Sequence, residues 1–362
     1  MSTPLDAIKP KVRALQSYSL SPDRASVKLN QNENPWDAPT EIRSETLRRL
    51  AERPWSRYPD FHPRALHERL AEFAGWKADG IIAGNGSNEL IQALLMVTVG
   101  SGTRVLISEP TFALYRQIAT VLGGEVLSIP LNSELTYDGQ ALRRAIKSAS
   151  PPVTIICSPN NPSGCVIDET DLESLLEETR GLIVIDEAYH EFSGKTVVPL
   201  LRQYPNLIVL RTFSKAMAMA GLRVGYLLAA PELTQGIAKA VLPYNVNIIS
   251  QTAAQVAIEM YESKLKPLVN VICAERDRVY ERLKEIKGVE PVPSQGNFML
   301  VRSAISPRLV YDELLRRDIL IREVSSYPML GDYFRISVGK PEENDQLLAS
   351  LREIFGSIEA SL

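Results

Sequence analysis

The chain has 362 residues, 45% of them hydrophobic and 23% charged, with a formal net charge of -3 at pH 7. That length exceeds one ordinary core and predicts two unequal domains, while the lack of a basic block argues against nucleic acid as the main partner. No apolar run is long enough to span a bilayer, MSTPLDAIKP lacks the apolar core of a secretory signal, and an odd count of three cysteines suits a reducing compartment, so a cytoplasmic small-molecule enzyme with no membrane partner is expected.

The N-terminal stretch to about Leu29 shows no alternation of elements and is expected to pack on the smaller domain. From about residue 64 the pattern becomes α/β. PRALHERLAEFAG reads as a helix, IIAG as a strand and SNELIQALLMVTV as a second helix. RVLIS, EVLSIP, VTIICS, LIVIDE, LIVLRT and VGYLLAA follow as buried strands, several of them separated by helices, which predicts helices sandwiching a mostly parallel sheet. Thr170 followed by Glu173 reads as a capping box opening the helix DLESLLEET. After Ala230 long helical stretches give way to NFMLV, a helix around PRLVYDELLRR, and strands near ILIR and YFRISV, the texture of an α+β domain. The expected division is 30–245 for the large domain, with 1–29 and 246–362 forming the small one.

Three loops fall at strand ends. GNGSNE (84–89) sits between a strand and a helix, where free N–H groups either close a tight connection or cradle an anion; Glu89 replaces the third glycine of the dinucleotide fingerprint, and no P-loop lysine is present. SPNNPSG (158–164) is turn chemistry that also offers amide donors. LIVIDEAYHEF ends a strand in Asp186, either a cap for the next turn or a partner for the protonated ring nitrogen of a pyridine cofactor, with Tyr189 in reach of that ring's phenolic oxygen. TFSKAMAMAGLRVGY (212–226) combines hydroxyls, small residues, Lys215 and Arg223. A nucleophilic lysine needs a cationic or desolvated setting to be neutral, which Arg223 and a bound phosphate would provide. The histidines, His62, His67 and His190, form no metal motif, so a protein-held metal is not expected.

Taken together, LNQNENP, RYPD, GNGSNE, EPTFALY, SPNNPSG, VIDEAYHEF, TFSKAMAMAGLRVGY, PYNVN and YFRISVG resemble, in that order from about Tyr18 to the C-terminus, the fold-type I aminotransferases, and most closely the histidinol-phosphate aminotransferase family. The resemblance implies pyridoxal 5'-phosphate held on Lys215 as a Schiff base, Asp186 on the pyridine nitrogen, and Asn161 and Tyr189 on the phenolic oxygen. It implies Ser87, Asn88, Ser214 and Arg223 on the phosphate and Phe112 stacked on the ring, where an aromatic side chain needs no hydroxyl to stack. Tyr58 resembles the tyrosine that crosses to the neighbouring subunit's cofactor, so a homodimer is implied. Arg322 and Arg335 would clamp the anionic end of the substrate, with Tyr18, Asn34, Tyr244 and Asn297 as further mouth residues. The reaction implied is transfer of the amino group of L-histidinol phosphate to 2-oxoglutarate, giving imidazole acetol phosphate and glutamate, in histidine biosynthesis. The rival readings within the fold are an aromatic amino-acid aminotransferase and a threonine-phosphate decarboxylase.

Overall fold

A computed structural model describes residues 3–16 and 22–359. The regularly spaced apolar runs of the sequence become its strands: β1 (Val27–Lys28), β2 (Ile81–Gly84), β3 (Arg104–Glu109), β4 (Glu125–Pro130), β5 (Val153–Cys157), β6 (Leu182–Asp186), β7 (Leu207–Thr212) and β8 (Gly225–Leu228). The later strands are β9 (Val289–Pro291), β10 (Phe298–Ser303), β11 (Ile319–Leu320), β12 (Arg322–Glu323) and β13 (Tyr333–Ser337). Strands β2 to β8 form one seven-stranded sheet in the order β2-β8-β7-β6-β5-β3-β4. Strand β8 runs antiparallel to both of its neighbours, and every other pair is parallel.

Both faces of this sheet are covered, which explains why its strands read as continuous apolar runs. Leu106, Ile156, Ile183, Ile185, Leu207 and Val209 point into one core, and Val105, Ile107, Ile155, Val184, Ile208 and Leu210 into the other, alternating along each strand as a pleat requires. Each such side chain contributes about 1.5–3 kcal/mol on burial. Crossover helices Ser87–Thr98, Leu114–Leu122, Gly139–Ala149 and Glu169–Glu178 supply the covering layers. The last of these begins earlier than the Thr170/Glu173 capping box predicts. Asp168 is its cap and accepts from Thr170 N and Asp171 N, because a short carboxylate placed just before the first turn reaches both free N–H groups.

A second sheet, β12-β13-β10-β9, is antiparallel throughout, and β1 pairs in parallel with β11 beside it. Helices Lys266–Lys284, Pro307–Arg316 and Pro341–Glu359 accompany this part, whose core is built from Val279, Leu283, Met299, Leu314, Phe334 and Leu351 among others. The apolar cores divide later than residue 245: Ala253, Ala254, Val256 and Ala257 of helix Ile248–Glu259 belong to the core of the large sheet. The N-terminal stretch is shared as well. Val27 and Lys28 join the small part through β11, whereas Lys9 Nζ donates to Val121 O at 3.0 Å beside the large sheet's helix Leu114–Leu122. Among the described residues no helix is long and apolar enough to cross a membrane.

Candidate active site

Parallel strands β5, β6 and β7 end side by side at Cys157, Asp186 and Thr212, and the loops that follow them open at the carboxyl edge where α/β sheets bind ligands. Asp186 is 3% exposed there. Its Oδ2 accepts from Tyr115 Oη at 2.7 Å and its Oδ1 from Ala188 N at 3.1 Å. Burial pushes the carboxyl up to about 6, against those two hydrogen bonds, which favour the charged form. Among the described residues no basic group is in hydrogen-bond contact with this carboxylate, so it is well set to meet a cation that arrives with a ligand, such as a protonated ring nitrogen.

Lys215 follows β7 in the loop 213–223, and its Nζ donates to the carbonyl of Gln31 at 2.8 Å. Burial, then the nearby Arg335, lower the amine to about 7, with Glu33 opposing and Arg223 adding a smaller push in the same direction. The environment that neutralises this lysine is therefore chiefly the dry cavity and Arg335, with Arg223 secondary. Above about pH 7 the amine is free to act as a nucleophile or to take a proton.

Tyr189 stands beside it, with Lys215 Nζ 5.8 Å from its ring centre. Its hydroxyl accepts from Asn161 Nδ2 at 3.3 Å and from Asn32 Nδ2 at 3.1 Å. Burial raises its pKa, so the phenol keeps its proton. Arg335 Nη1 donates to Asn161 Oδ1 at 2.5 Å and Nη2 to Asn30 O at 2.7 Å, which fixes which way the Asn161 amide faces.

The cradle lies on the other side. Helix Ser87–Thr98 starts without a side-chain cap, leaving its first N–H groups for a ligand. Gly86 holds φ +80°, and a Cβ there would meet Arg223 Nη2 at 2.5 Å; one at Gly225 would meet Ser87 N at 2.3 Å. Glycine at 86 leaves room for Arg223, itself at φ 55°, to close over the helix start, and glycine at 225 lets β8 approach the backbone there. Arg223 Nη1 donates to Ser214 Oγ at 3.2 Å. Glu89, which breaks the dinucleotide pattern, accepts from Asn85 N and Asn245 Nδ2 and so shapes the loop.

These groups line one cavity of about 300 Å³ that also contains Asn88, Phe112, Arg322 and Arg335. Phe112 meets Tyr115 edge to face at 5.6 Å, so the ring that covers the cavity is braced by the tyrosine that bonds Asp186. Arg322 and Arg335 are direct cross-strand partners on β12 and β13. Like charges opposite one another are unfavourable until an anion bridges them, and among the described residues Arg322 has no hydrogen-bond or ion-pair partner. Cradle, lysine, carboxylate and phenol fit a phosphate-bearing pyridine aldehyde in chemical type and in number.

Other expected residues lie elsewhere. Asn297 is fully buried and its amide donates to the carbonyls of Asn32 and Glu33, so it braces the 30–34 segment from behind. Asn34 donates to Ala216 O and caps Trp36 N, which anchors the chain next to Lys215 without entering the cavity. Tyr244 stacks on Tyr58 at 4.5 Å, and Tyr58 is 81% exposed, away from its own chain's cavity. Tyr18 lies outside the described residues. Gln31, Asn32, Tyr115, Thr212 and Tyr327 also line the cavity; Gln31 and Asn32 stand in LNQNENP, Tyr115 in EPTFALY and Thr212 in TFSKAMAMAGLRVGY, but their local spacing assigns them no role.

The sequence pattern of the family described as Aminotransferase class I and II matches residues 24–351. A histidinol-phosphate aminotransferase of Chlorobium phaeovibrioides is 35% identical over 353 residues, covering 97% of this chain and 98% of the relative. Among solved structures, the histidinol-phosphate aminotransferase of Sinorhizobium meliloti in complex with pyridoxal-5'-phosphate superposes with a TM-score of 0.87 at 24% identity, over 96% of this chain and 97% of that one. The L-threonine-O-3-phosphate decarboxylase of Porphyromonas gingivalis shares the fold with a TM-score of 0.79 at 23% identity, over 91% and 99% of the two chains.

Proposed function

We infer the activity from the premise that this chain belongs to the class I and II aminotransferases and, within them, to the histidinol-phosphate aminotransferase family. It is a pyridoxal-phosphate-dependent transaminase that moves the amino group of L-histidinol phosphate to 2-oxoglutarate, a step of histidine biosynthesis, and we place it in the cytoplasm. The observation that carries this reading is the single cavity that joins a buried low-pKa lysine, a buried carboxylate and an anion cradle to two cross-strand arginines.

Pyridoxal phosphate, when bound, supplies an electrophilic aldehyde and a conjugated ring that absorbs the electron pair left by a departing proton. Ser87, Asn88, Ser214 and Arg223 would grip its phosphate, and Phe112 would cover its ring. Lys215 would offer the neutral amine that holds the aldehyde carbon and, freed by the substrate amine, would carry the proton from the substrate's α-carbon to the carbon that was the cofactor's aldehyde. Asp186 would hold a proton on the ring nitrogen, and Tyr189 and Asn161 would hold the phenolic oxygen. Arg322 and Arg335 draw in the phosphate of histidinol phosphate in one half of the cycle and the distal carboxylate of 2-oxoglutarate in the other.

A comparison of catalytic efficiencies for histidinol phosphate, threonine phosphate and aromatic amino acids tests the reading, with 2-oxoglutarate as acceptor. Histidinol phosphate is expected to lead. Release of carbon dioxide from threonine phosphate, or an aromatic amino acid in first place, would move the chain to a neighbouring activity of the same fold. For the arginines, Arg322→Ala should weaken phosphate and dicarboxylate substrates by roughly 2–4 kcal/mol while sparing small neutral amines, whereas Arg335→Ala should add a loss on every substrate, because Arg335 also orients Asn161 and helps to keep Lys215 neutral. Equal losses on all substrates in Arg322→Ala would mean that the strands, and not the anion contact, had been damaged.

The assembly proposed is a homodimer with Tyr58 reaching the cofactor phosphate of the second copy. Tyr58 is exposed in an aromatic group in which Tyr244 stacks on it and Phe61 meets Tyr244 edge to face, the kind of surface that partners cover. Mixing Lys215→Ala and Tyr58→Ala proteins under subunit exchange then yields heterodimers with one intact and one doubly damaged site. Activity should recover to roughly a quarter of wild type, given that Tyr58→Ala alone is severely impaired. Proven exchange without recovery would place Tyr58 outside the second copy's site.

A further inference from the structure

Asn32 takes no part in the chemistry above, yet it is 1% exposed and sits at φ 53°, a left-handed conformation that asparagine tolerates better than most side chains. Its backbone N–H donates to Ser337 Oγ at 2.8 Å, and that hydroxyl donates back to Asn32 Oδ1 at 3.0 Å. This reciprocal pair decides the orientation of the side-chain amide. With Oδ1 turned to a donor, Nδ2 faces Tyr189 Oη at 3.1 Å. The turn is held from a third side by Asn297, whose amide donates to Asn32 O at 3.1 Å.

A phenol oxygen has two lone pairs and one hydrogen. Asn32 and Asn161 both donate to Tyr189 Oη, so both lone pairs are occupied and the hydrogen is left to point elsewhere. Ala188, Lys215 and Tyr189 line the same cavity, and it is into this space that the remaining O–H is free to turn. Accepting two hydrogen bonds also polarises a hydroxyl and strengthens its own donation. We propose that Asn32 is a positioning residue that makes Tyr189 a one-way hydrogen-bond donor toward the phenolic oxygen of the cofactor. The proposal rests on the cofactor reading of the site. It gives the left-handed turn a purpose: the backbone conformation and the Ser337 ring together aim one amide at one oxygen.

A donor on the phenolic oxygen favours its ionised form and lowers the pH at which the lysine-bound cofactor loses its proton, an event seen as a change of visible absorbance. The test is a spectral pH titration of the holoprotein in four forms: wild type, Tyr189→Phe, Asn32→Gly and the double variant. Glycine accepts the positive φ, so Asn32→Gly removes the amide while keeping the turn. Expected are an upward shift of the midpoint for Asn32→Gly, smaller than that for Tyr189→Phe, and no further shift when Asn32→Gly is added to Tyr189→Phe, because the amide acts through the hydroxyl. A wild-type midpoint in Asn32→Gly, or an equal shift with and without the Tyr189 hydroxyl, overturns the proposal. If Asn32→Gly does not fold, Asn32→Asp keeps the Ser337 pair and turns the Tyr189 hydrogen toward its carboxylate; measured with and without the hydroxyl to subtract the added charge, it should match the shift of Tyr189→Phe, and a wild-type midpoint again overturns the proposal. Wild-type protein that shows no visible band defeats the cofactor reading itself, which separates the two failures.

Discussion

Lys215→Ala should abolish transamination and remove the visible absorbance of the cofactor-bound protein. Among the described residues Lys215 is the lysine that lines the cavity, its amine is buried, and burial with Arg335 brings it to about 7, so it combines access with a neutral nitrogen. The cradle built on Ser87, Ser214 and Arg223 is untouched by the change, so the variant should still bind the cofactor's phosphate, now without a covalent link. Retention of both turnover and the visible band in Lys215→Ala would remove the basis of the proposed chemistry.

Asp186→Asn has the next largest expected effect: bound cofactor retained, turnover lowered by about 10²–10³-fold. An amide of the same shape can hold hydrogen bonds from Tyr115 or Ala188, so the fold has little reason to change. What it lacks is the negative charge that keeps a proton on the ring nitrogen in a site dry enough to push even this carboxyl up to about 6. Turnover near wild type would return Asp186 to the role of a strand-end cap.

How much of this was legible in the sequence follows from how local each feature is. The strands of the large sheet were readable because both of its faces are buried, so each strand is an apolar run bounded by turn residues, and the loops at their carboxyl ends were readable because they carry Gly, Asn and Pro. The parallel sheet and the cradle at Gly86 followed from that. Asn32 and Tyr115 were not readable. Asn32 meets Tyr189 across 157 positions and Ser337 across 305, and Tyr115 meets Asp186 across 71, so neither contact leaves a trace in local spacing. Tyr115 is fully buried on a helix, where its pattern is that of any core aromatic. Asn297, which the resemblance implies at the substrate mouth, sends its amide to the backbone of the 30–34 segment, and its partner Asn32 O lies 265 positions away, beyond any local pattern. Helix Ile248–Glu259 joined the larger core because its Ala-rich face suits close packing on that sheet's helices, a preference that composition alone does not assign to one domain or the other.

The central claim, that Lys215 carries the cofactor, is tested most directly by reducing the holoprotein with borohydride and mapping the modified peptide by mass. Reduction fixes a cofactor–lysine link as a stable secondary amine. A single pyridoxyl adduct on the peptide that contains Lys215, absent from Lys215→Ala, is the predicted result; an adduct on a different lysine, or none on protein that shows the visible band, would contradict it.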